Sequence, residues 1–171
     1  ADTLYADILP SCLFSLDTMI VSGYTGQVQR WEISEDNGRT WAAIADQSNF
    51  RQVGVAFKDS TRYRAIVRSC NCDEVATPSQ FINVFLPTEP GVLTGSDTVC
   101  ATVNSGRLKL TGHNGSVVEW HISTDQYFTT YTALPVTTDD LTYTNNPENF
   151  YYRAVVQNGA CPAEFSNTAY V

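Results

Sequence analysis

Positive charge is scarce in this chain. Its 171 residues include 10 Lys and Arg against 18 Asp and Glu, which gives a formal net charge of −8 and a pI near 4.5. Nucleic acids and anionic membrane surfaces require clustered basic residues, so the composition argues against both as partners. Basic partners and divalent cations remain compatible with this charge.

Long apolar runs are also missing. No stretch approaches the roughly 20 residues that a membrane-spanning helix needs, so we predict no membrane insertion. The first residues, ADTLYADIL, lack a basic start and a cleavage site, which indicates that any signal peptide is already gone. Met occurs once, whereas Thr, Ser, Val, Tyr and Asn are frequent, and this usage favours strands and turns over helices.

What the chain does contain is an internal repeat. GYTGQVQRWEIS, which includes Trp31, reappears as GHNGSVVEWHIS, which includes Trp120, and RYRAIV around Tyr63 reappears as YYRAVV around Tyr152. Both pairs are 89 residues apart. A constant offset over this span indicates a duplicated module of roughly 85 residues.

Within each copy, short alternating runs are separated by turn residues, which is typical of an all-β sandwich. We predict one domain at 1–86, a stiff connector with two prolines at 87–91, and a second domain at 92–171. Gly26 and Gly115 mark the turns that enter the two Trp strands. The alternation places Val118, Trp120 and Ile122 on the inner face of the second Trp strand, with Glu119 and His121 on the outer face.

Four of the five cysteines fall at equivalent positions of the two modules. This pattern predicts one disulfide in each module, Cys12 with Cys72 and Cys100 with Cys161, and therefore an extracellular or cell-surface location. A zinc site is the weaker alternative, because such sites group their ligands in close pairs.

The fifth cysteine, Cys70, has no counterpart, since Gly159 occupies its place. It is a free thiol, an intermolecular link, or the true partner of Cys12. The strand-like ends ADTLYADIL and FSNTAYV offer a second way to join copies, by strand addition.

The Trp strand followed by a Tyr-x-Ala-x-Val strand resembles strands C and F of immunoglobulin-like domains. Ala65 and Ala154 stand where antibody domains have Cys, and the Cys lies at the end of the strand instead. With W-x-I-S-x-D, this combination is similar to the Ig-like repeats of secreted and surface adhesins of Bacteroidota, many of them exported by the type IX route and some linked to gliding. The resemblance implies two tandem immunoglobulin-like β-sandwich domains that serve as stalk or adhesive segments.

Asp followed by Ser or Thr and then an aliphatic residue or Thr is similar to the O-glycosylation acceptor of that phylum. It occurs four times, at Thr3, Thr18, Ser60 and Thr98. The alternative reading is that Asp-Thr pairs cap turns. Asn114-Gly115-Ser116 also fits an N-glycosylation sequon.

The strongest motif is an Asp-box, S-x-D-x-G-x-T-W, at residues 34–41. The box recurs in sialidase-like propellers, where it is structural, and 171 residues are too few for a propeller. We therefore expect a hairpin turn in which the Asp36 carboxylate accepts hydrogen bonds from turn amides, with Trp41 packed beneath. In the second module we recognise only Ser123 and Asp125 of this motif.

Residues that could carry chemistry are few. His113 and His121 have no carboxylate or Cys at catalytic or ligand spacing, so we expect both to be solvated. Asp139-Asp140 and Glu35-Asp36 could bind Ca²⁺ weakly, but neither forms an oxygen-rich loop, and no cofactor is predicted.

Gln126-Tyr127-Phe128 stands where the first module has its tight Asn37-Gly38 turn, so the second module presents the aromatic residues Tyr127 and Phe128 in this loop. Loop aromatics stack on sugar rings or anchor a partner protein, and they can equally pack back on the sheet.

These features predict a non-enzymatic extracellular module, part of an adhesin stalk or of a filament built from Ig-like repeats. Its partners would be neighbouring repeats or copies of itself. The alternative is a glycan- or protein-binding module that uses the exposed aromatics of the second domain.

Overall fold

The computed structural model describes residues 10–45, 52–56 and 59–171. The chain divides into two compact units, Ala1–Phe85 and Leu86–Val171, called unit 1 and unit 2 below. Every regular element in the described ranges is a β-strand, and these ranges include no helix that could cross a lipid bilayer.

Unit 1 contains three sets of paired strands. The largest has the order β4-β3-β6-β7, with β8 also paired to β6, while β2 pairs with β5, and β1 runs parallel to β9. The bounds are β1 Ser11–Cys12, β2 Leu16–Ile20, β3 Gln27–Ser34, β4 Ala42–Ala43, β5 Gln52–Ala56, β6 Thr61–Arg68, β7 Val75–Ala76, β8 Gln80–Ile82 and β9 Val84–Phe85.

Unit 2 repeats the larger sheet and has a complete second one. Its sheets have the orders β10-β11-β14 and β13-β12-β15-β16, and β17 pairs with β15. The bounds are β10 Val92–Thr94, β11 Ser105–Thr111, β12 Ser116–Ser123, β13 Thr132–Leu134, β14 Asp140–Thr144, β15 Tyr151–Gln157, β16 Glu164–Phe165 and β17 Ala169–Tyr170.

Each unit buries one apolar cluster, as expected of a β-sandwich. Trp31 and Tyr63 are at the centre of the first cluster, and Trp120 and Tyr152 hold the same places in the second. The other buried members are Met19, Val21, Val28, Ala65, Val67 and Ile82 in unit 1, and Leu93, Leu108, Leu110, Val117, Leu141, Tyr143, Ala154, Val156, Ala169 and Val171 in unit 2.

The Trp strands depart from simple alternation at the same point. A β-bulge falls between Val28 and Arg30 in β3 and between Val117 and Glu119 in β12. The extra residue shifts the inward positions, so Val117 is buried and Val118 is exposed. The prediction that Val118 faces the core is therefore wrong.

Gly26 and Gly115 precede these strands with φ of +107° and +96°. A Cβ on Gly26 would lie 2.3 Å from the carbonyl oxygen of Arg68, and one on Gly115 would lie 2.5 Å from that of Gln157. Both the backbone conformation and the close approach require glycine.

The proline-containing segment after β9 is hydrogen-bonded to other parts of unit 2. The Thr88 hydroxyl donates to the carbonyl of Pro162, and the Asn114 side chain donates to the carbonyl of Pro87. Glu89 forms a β-bridge with Asn114. These bonds anchor residues 87–89 on the rest of unit 2.

The cysteines are not paired as predicted. Cys12 and Cys161 are each disulfide-bonded, whereas Cys70, Cys72 and Cys100 are exposed free thiols. The pairs Cys12 with Cys72 and Cys100 with Cys161 are therefore not formed in this structure.

The equivalent residues Cys72 and Cys161 stand in matching turns, since each donates its N–H to the carbonyl three residues earlier, and they differ in burial. Cys161 is fully buried, and its sulfur lies 3.1 Å from the carbonyl oxygen of Leu86. Cys72 stands in an exposed turn closed by a hydrogen bond from its N–H to the carbonyl of Ser69. Equivalent spacing identifies matching positions, but it does not identify bonding partners.

Candidate functional site

The Asp-box of unit 1 forms the expected hairpin turn. The Asp36 carboxylate accepts hydrogen bonds from the backbone N–H of Arg39 and Thr40, and from the hydroxyls of Thr40 and Ser34. The indole N–H of Trp41 donates to the carbonyl of Gly38. The hydrogen bond from the Thr40 hydroxyl is the largest of several that lower the pKa of Asp36 to about 2. The motif is a structural turn.

Unit 2 keeps more of this motif than Ser123 and Asp125. Thr129 stands 89 residues after Thr40, and both its N–H and its hydroxyl donate to the Asp125 carboxylate. The N–H of Tyr127 donates to the same side chain. The hydrogen bond from the Thr129 hydroxyl is the first of those that lower the pKa of Asp125. Applying the repeat offset to Thr40 would have identified this residue from sequence.

The two loop aromatics of unit 2 have different environments. Tyr127 is 77% exposed, whereas Phe128 is 7% exposed and has a φ of +54°. The Phe128 ring packs back on the outer face of the larger sheet, where its centroid is 4.2 Å from the guanidinium carbon of Arg153. Only Tyr127 is available at the loop tip.

Arg153, on β15, is the centre of an aromatic cluster. Its guanidinium carbon lies 3.8 Å from the ring centroid of Phe165 and 5.7 Å from that of Tyr131, in addition to Phe128. These rings come from β16 and from the loop before β13. We call Arg153 with Phe128, Tyr131 and Phe165 the Arg153 cluster.

His121, on β12, lies beneath this cluster and is 2% exposed. The Nε–H of Arg153 donates to its Nδ1 at 3.2 Å, which assigns the ring proton to Nε2, 2.9 Å from a carboxylate oxygen of Glu119. The His121 ring stacks on Tyr131 with centroids 4.0 Å apart. The prediction that His121 is solvated is wrong, because Tyr131 and Phe165 cover it.

Unit 1 places an ion network at the equivalent positions. Glu32 accepts from Arg64 at 2.7 Å and from Arg30 at 2.8 Å, and Arg64 lies 4.0 Å from the ring centroid of Trp41. Burial raises the pKa of Glu32, but the hydrogen bonds from Arg64 and Arg30 outweigh burial and lower it overall. Arg64, on β6, therefore has a carboxylate partner within its own unit.

Arg153 has no such carboxylate. Within the described part of the chain, its hydrogen bonding consists of the bond from Nε to His121, and no ion pair includes it. Burial lowers the pKa of its guanidinium. Its two terminal nitrogens donate no hydrogen bond to the described residues.

Unit 2 also contains a cleft of about 340 Å³ beside Thr98. Asp97, Asn104, Asn146 and Glu148 contribute to its lining. Of the other predicted O-glycosylation residues, Thr18 and Ser60 are exposed, and Thr3 lies outside the described residues. Asn114, the sequon residue, uses its amide to bond Pro87 and Glu89.

The two carboxylates of the Asp139-Asp140 pair, weighed as calcium ligands, have separate partners. Asp139 lies 3.3 Å from His113, and Asp140 pairs with Arg107. In the ranges that the structure describes, no three His, Cys, Asp or Glu side chains are grouped closely enough to share a metal ion.

Comparison with solved structures finds the same fold. Murine CEACAM1b is similar with a TM-score of 0.60 and 11% identity over 95% of this chain and 94% of that chain. The FN1-FN3 domains of chicken CNTN1 are similar with a TM-score of 0.52 and 12% identity over 99% of this chain and 64% of that chain. The predicted fold class, two tandem immunoglobulin-like β-sandwich domains, is confirmed.

Sequence comparison is more specific. No curated protein matches the chain. One family model matches it twice, at residues 12–85 and 89–171, so that nearly the whole of both units is covered. The chain belongs to the family described as Domain of unknown function (DUF8696).

Proposed function

We propose that the chain is a non-enzymatic structural or adhesive module of an extracellular or cell-surface protein, part of an adhesin stalk or of a filament. The observation that carries this proposal is the duplication of one sandwich with the same core and the same turns. The disulfide-bonded Cys12 and Cys161 support an oxidising compartment. The resemblance to adhesin-type repeats of Bacteroidota belongs to the same proposal.

The free cysteines indicate how such modules would be joined. Cys12 and Cys100 occupy equivalent positions near the start of their units, and Cys72 and Cys161 occupy equivalent positions after the Tyr strand. One member of each set is disulfide-bonded, and the other is an exposed thiol. Both positions are thus suited to disulfides, and one unfilled position of each kind remains. Cys100 of one copy would bond Cys72 of the next.

Glutathione disulfide provides the oxidant for a test. The Cys72 thiolate attacks it, forming a mixed disulfide and releasing one glutathione thiolate, and the Cys100 thiolate of another copy then displaces the second. The two released glutathione thiolates take up the protons that the cysteines lose. We expect a reductant-sensitive ladder of multimers on denaturing gels, with a Cys72–Cys100 linked peptide in the digest.

Cys70 provides a matched control, since it is an exposed free thiol two residues from Cys72. Cys70→Ser should leave the ladder unchanged, whereas the double variant Cys72→Ser with Cys100→Ser should abolish it. A ladder that survives the double variant and disappears in Cys70→Ser would instead make Cys70 the intermolecular link.

The second candidate function is binding of a glycan or a surface protein by unit 2. The observation that favours it is Tyr127, 77% exposed at the tip of a turn whose backbone is fixed by Asp125. Binding to a panel of immobilised glycans and extracellular proteins should be lost in Tyr127→Ser and retained in Phe14→Ser, which removes an exposed aromatic ring of unit 1. Equal loss in both variants would indicate nonspecific adsorption.

Glycosylation at Thr3, Thr18, Ser60 and Thr98 remains part of this proposal. The exposure of Thr18, Ser60 and Thr98 is compatible with attached sugars. Intact mass of the natively produced protein tests it, since sugars add mass in hexose-sized steps to the 18.9 kDa chain. An unmodified mass would contradict it.

A further inference from the structure

The outer face of unit 2 contains an arginine, Arg153, whose equivalent in unit 1, Arg64, is paired with a carboxylate. In unit 1, Nε and Nη2 of Arg64 both contact Oε2 of the Glu32 carboxylate, at 2.7 and 2.6 Å. In unit 2, His121 occupies the Glu32 position and takes only Nε of Arg153. An imidazole in place of a carboxylate leaves Arg153 without a direct ion pair, and the Glu119 carboxylate bonds the far side of the His121 ring.

The remaining donors of Arg153 have a defined direction. Because Nε is held by His121 and the guanidinium lies against Phe128 and Phe165, the edge with the two terminal nitrogens is the open one. The two terminal nitrogens form a fork that matches the two oxygens of a carboxylate. Partial burial strengthens such a bond relative to one in water.

The rim of this edge is aromatic. Tyr131 and Phe165 are 52% and 48% exposed, and each lies within 6 Å of the guanidinium. Half-exposed rings beside a charged group suit a ligand with an apolar C–H face next to its carboxylate. A pyranose ring that carries a carboxylate has this combination.

The net charge of unit 2 narrows the class of ligand further. Residues 86–171 include three Lys and Arg but eight Asp and Glu. This excess of negative charge repels polyanions and strongly acidic peptides. A single carboxylate with uncharged surroundings meets the local guanidinium without that penalty.

We propose that the terminal nitrogens of Arg153 bind the carboxylate of an acidic sugar residue, with Tyr131 and Phe165 contacting the sugar ring. This inference rests on the second candidate function and adds its ligand class. The ligand carboxylate would supply the ion pair that Glu32 supplies in unit 1, but at the edge of the guanidinium formed by the two terminal nitrogens, because His121 holds Nε.

The test is a titration of the full chain with glucuronic acid, followed by amide and side-chain NMR shifts, with glucose as the neutral match. We expect saturable shifts at Arg153 and Tyr131 with glucuronic acid and none with glucose. Arg153→Lys should weaken binding at least about tenfold, because a bidentate charged contact becomes a single one. Arg64→Ala, in unit 1, should not change it.

A second variant gives unit 2 the carboxylate that unit 1 has at this position. His121→Glu should hold the guanidinium as Glu32 does and abolish binding while the melting temperature stays near that of the parent chain. Binding that survives both His121→Glu and Arg153→Lys, or equal binding of glucose, would overturn the proposal. A short acidic peptide that binds more tightly than glucuronic acid would overturn the ligand class and indicate a protein partner.

The outcomes also separate this inference from the function on which it rests. If Tyr127→Ser abolishes capture on the glycan panel but glucuronic acid causes no shifts, unit 2 binds glycans without using Arg153. If neither occurs, the binding function itself fails, and the structural function remains.

Discussion

The two units have matching inner faces and different outer faces. Trp31 and Tyr63 have the same burial as Trp120 and Tyr152, and the bulge and the entry glycine recur at the same places. On the outer face, Glu32 with its arginines in unit 1 is replaced in unit 2 by His121 and the Arg153 cluster. The comparison teaches that inward residues specify this sandwich, while the outer face of its larger sheet is open to other uses.

The largest expected effect tests the shared core. Trp31→Ala and Trp120→Ala should each destabilise their own unit by about 3–5 kcal/mol, since both indoles are completely buried. Amide hydrogen exchange measures this, through lost protection in β3 and β6 for the first variant and in β12 and β15 for the second. If only one of the two variants lost protection in its own unit, the two cores would not be equivalent.

The entry glycines are the next test. Gly26→Ala and Gly115→Ala should each cost on the order of 1–3 kcal/mol from backbone strain, because alanine at positive φ places its Cβ against a carbonyl oxygen. Gly112→Ala is the control that separates the two causes, since it has a φ of +71° but no atom within 4 Å of the added Cβ. Denaturant titration should rank Gly112→Ala as the mildest of the three. Equal costs would show that conformation alone requires these glycines.

Much of this fold could be predicted from sequence because the same inward-facing residues occur at equivalent positions in both copies of the repeat. The Trp and Tyr positions, the entry glycines and the Asp36 turn all follow from local pattern and backbone chemistry. Val118 was misplaced because an alternating pattern gives no sign of the extra residue in a bulge.

The candidate site was less predictable, because it depends on contacts between distant segments. Alternation correctly placed His121 on the outer face, but its burial comes from Tyr131, in the loop before β13, and from Phe165, on β16. Cysteine spacing identified equivalent positions, while the partners depend on tertiary structure. Arg153 was visible as a repeat of Arg64, but its lack of a carboxylate partner required the geometry of both units.

A third test compares how much the polar network on each outer face contributes to the stability of its unit. Glu32→Gln should destabilise unit 1 by about 1–2 kcal/mol, because it leaves the half-buried Arg64 without its ionic partner. Glu119→Gln should cost less, since an amide oxygen can still accept from His121 Nε2. Chemical denaturation of both variants gives the comparison. A larger loss for Glu119→Gln would mean that the His121 network is as structural as the ion network of unit 1.

The smallest expected effect is a difference between the Asp36 turn and the Asp125 turn in how the melting temperature depends on pH. The pKa of Asp36 is lowered to about 2 in the folded chain from 3.8, so its contribution to stability is full above pH 3.8 and is lost as the pH falls toward 2. Asp36→Ala should therefore lower the melting temperature at pH 5 and show a shallower decline between pH 4 and pH 2 than the parent chain. Asp125→Ala should do the same to a smaller degree, because Asp125 accepts three hydrogen bonds and Asp36 accepts four. Parallel melting curves for Asp36→Ala and the parent chain across this range would show that the turn is stabilised equally well with a protonated carboxyl, and that its strength comes from the backbone and Trp41.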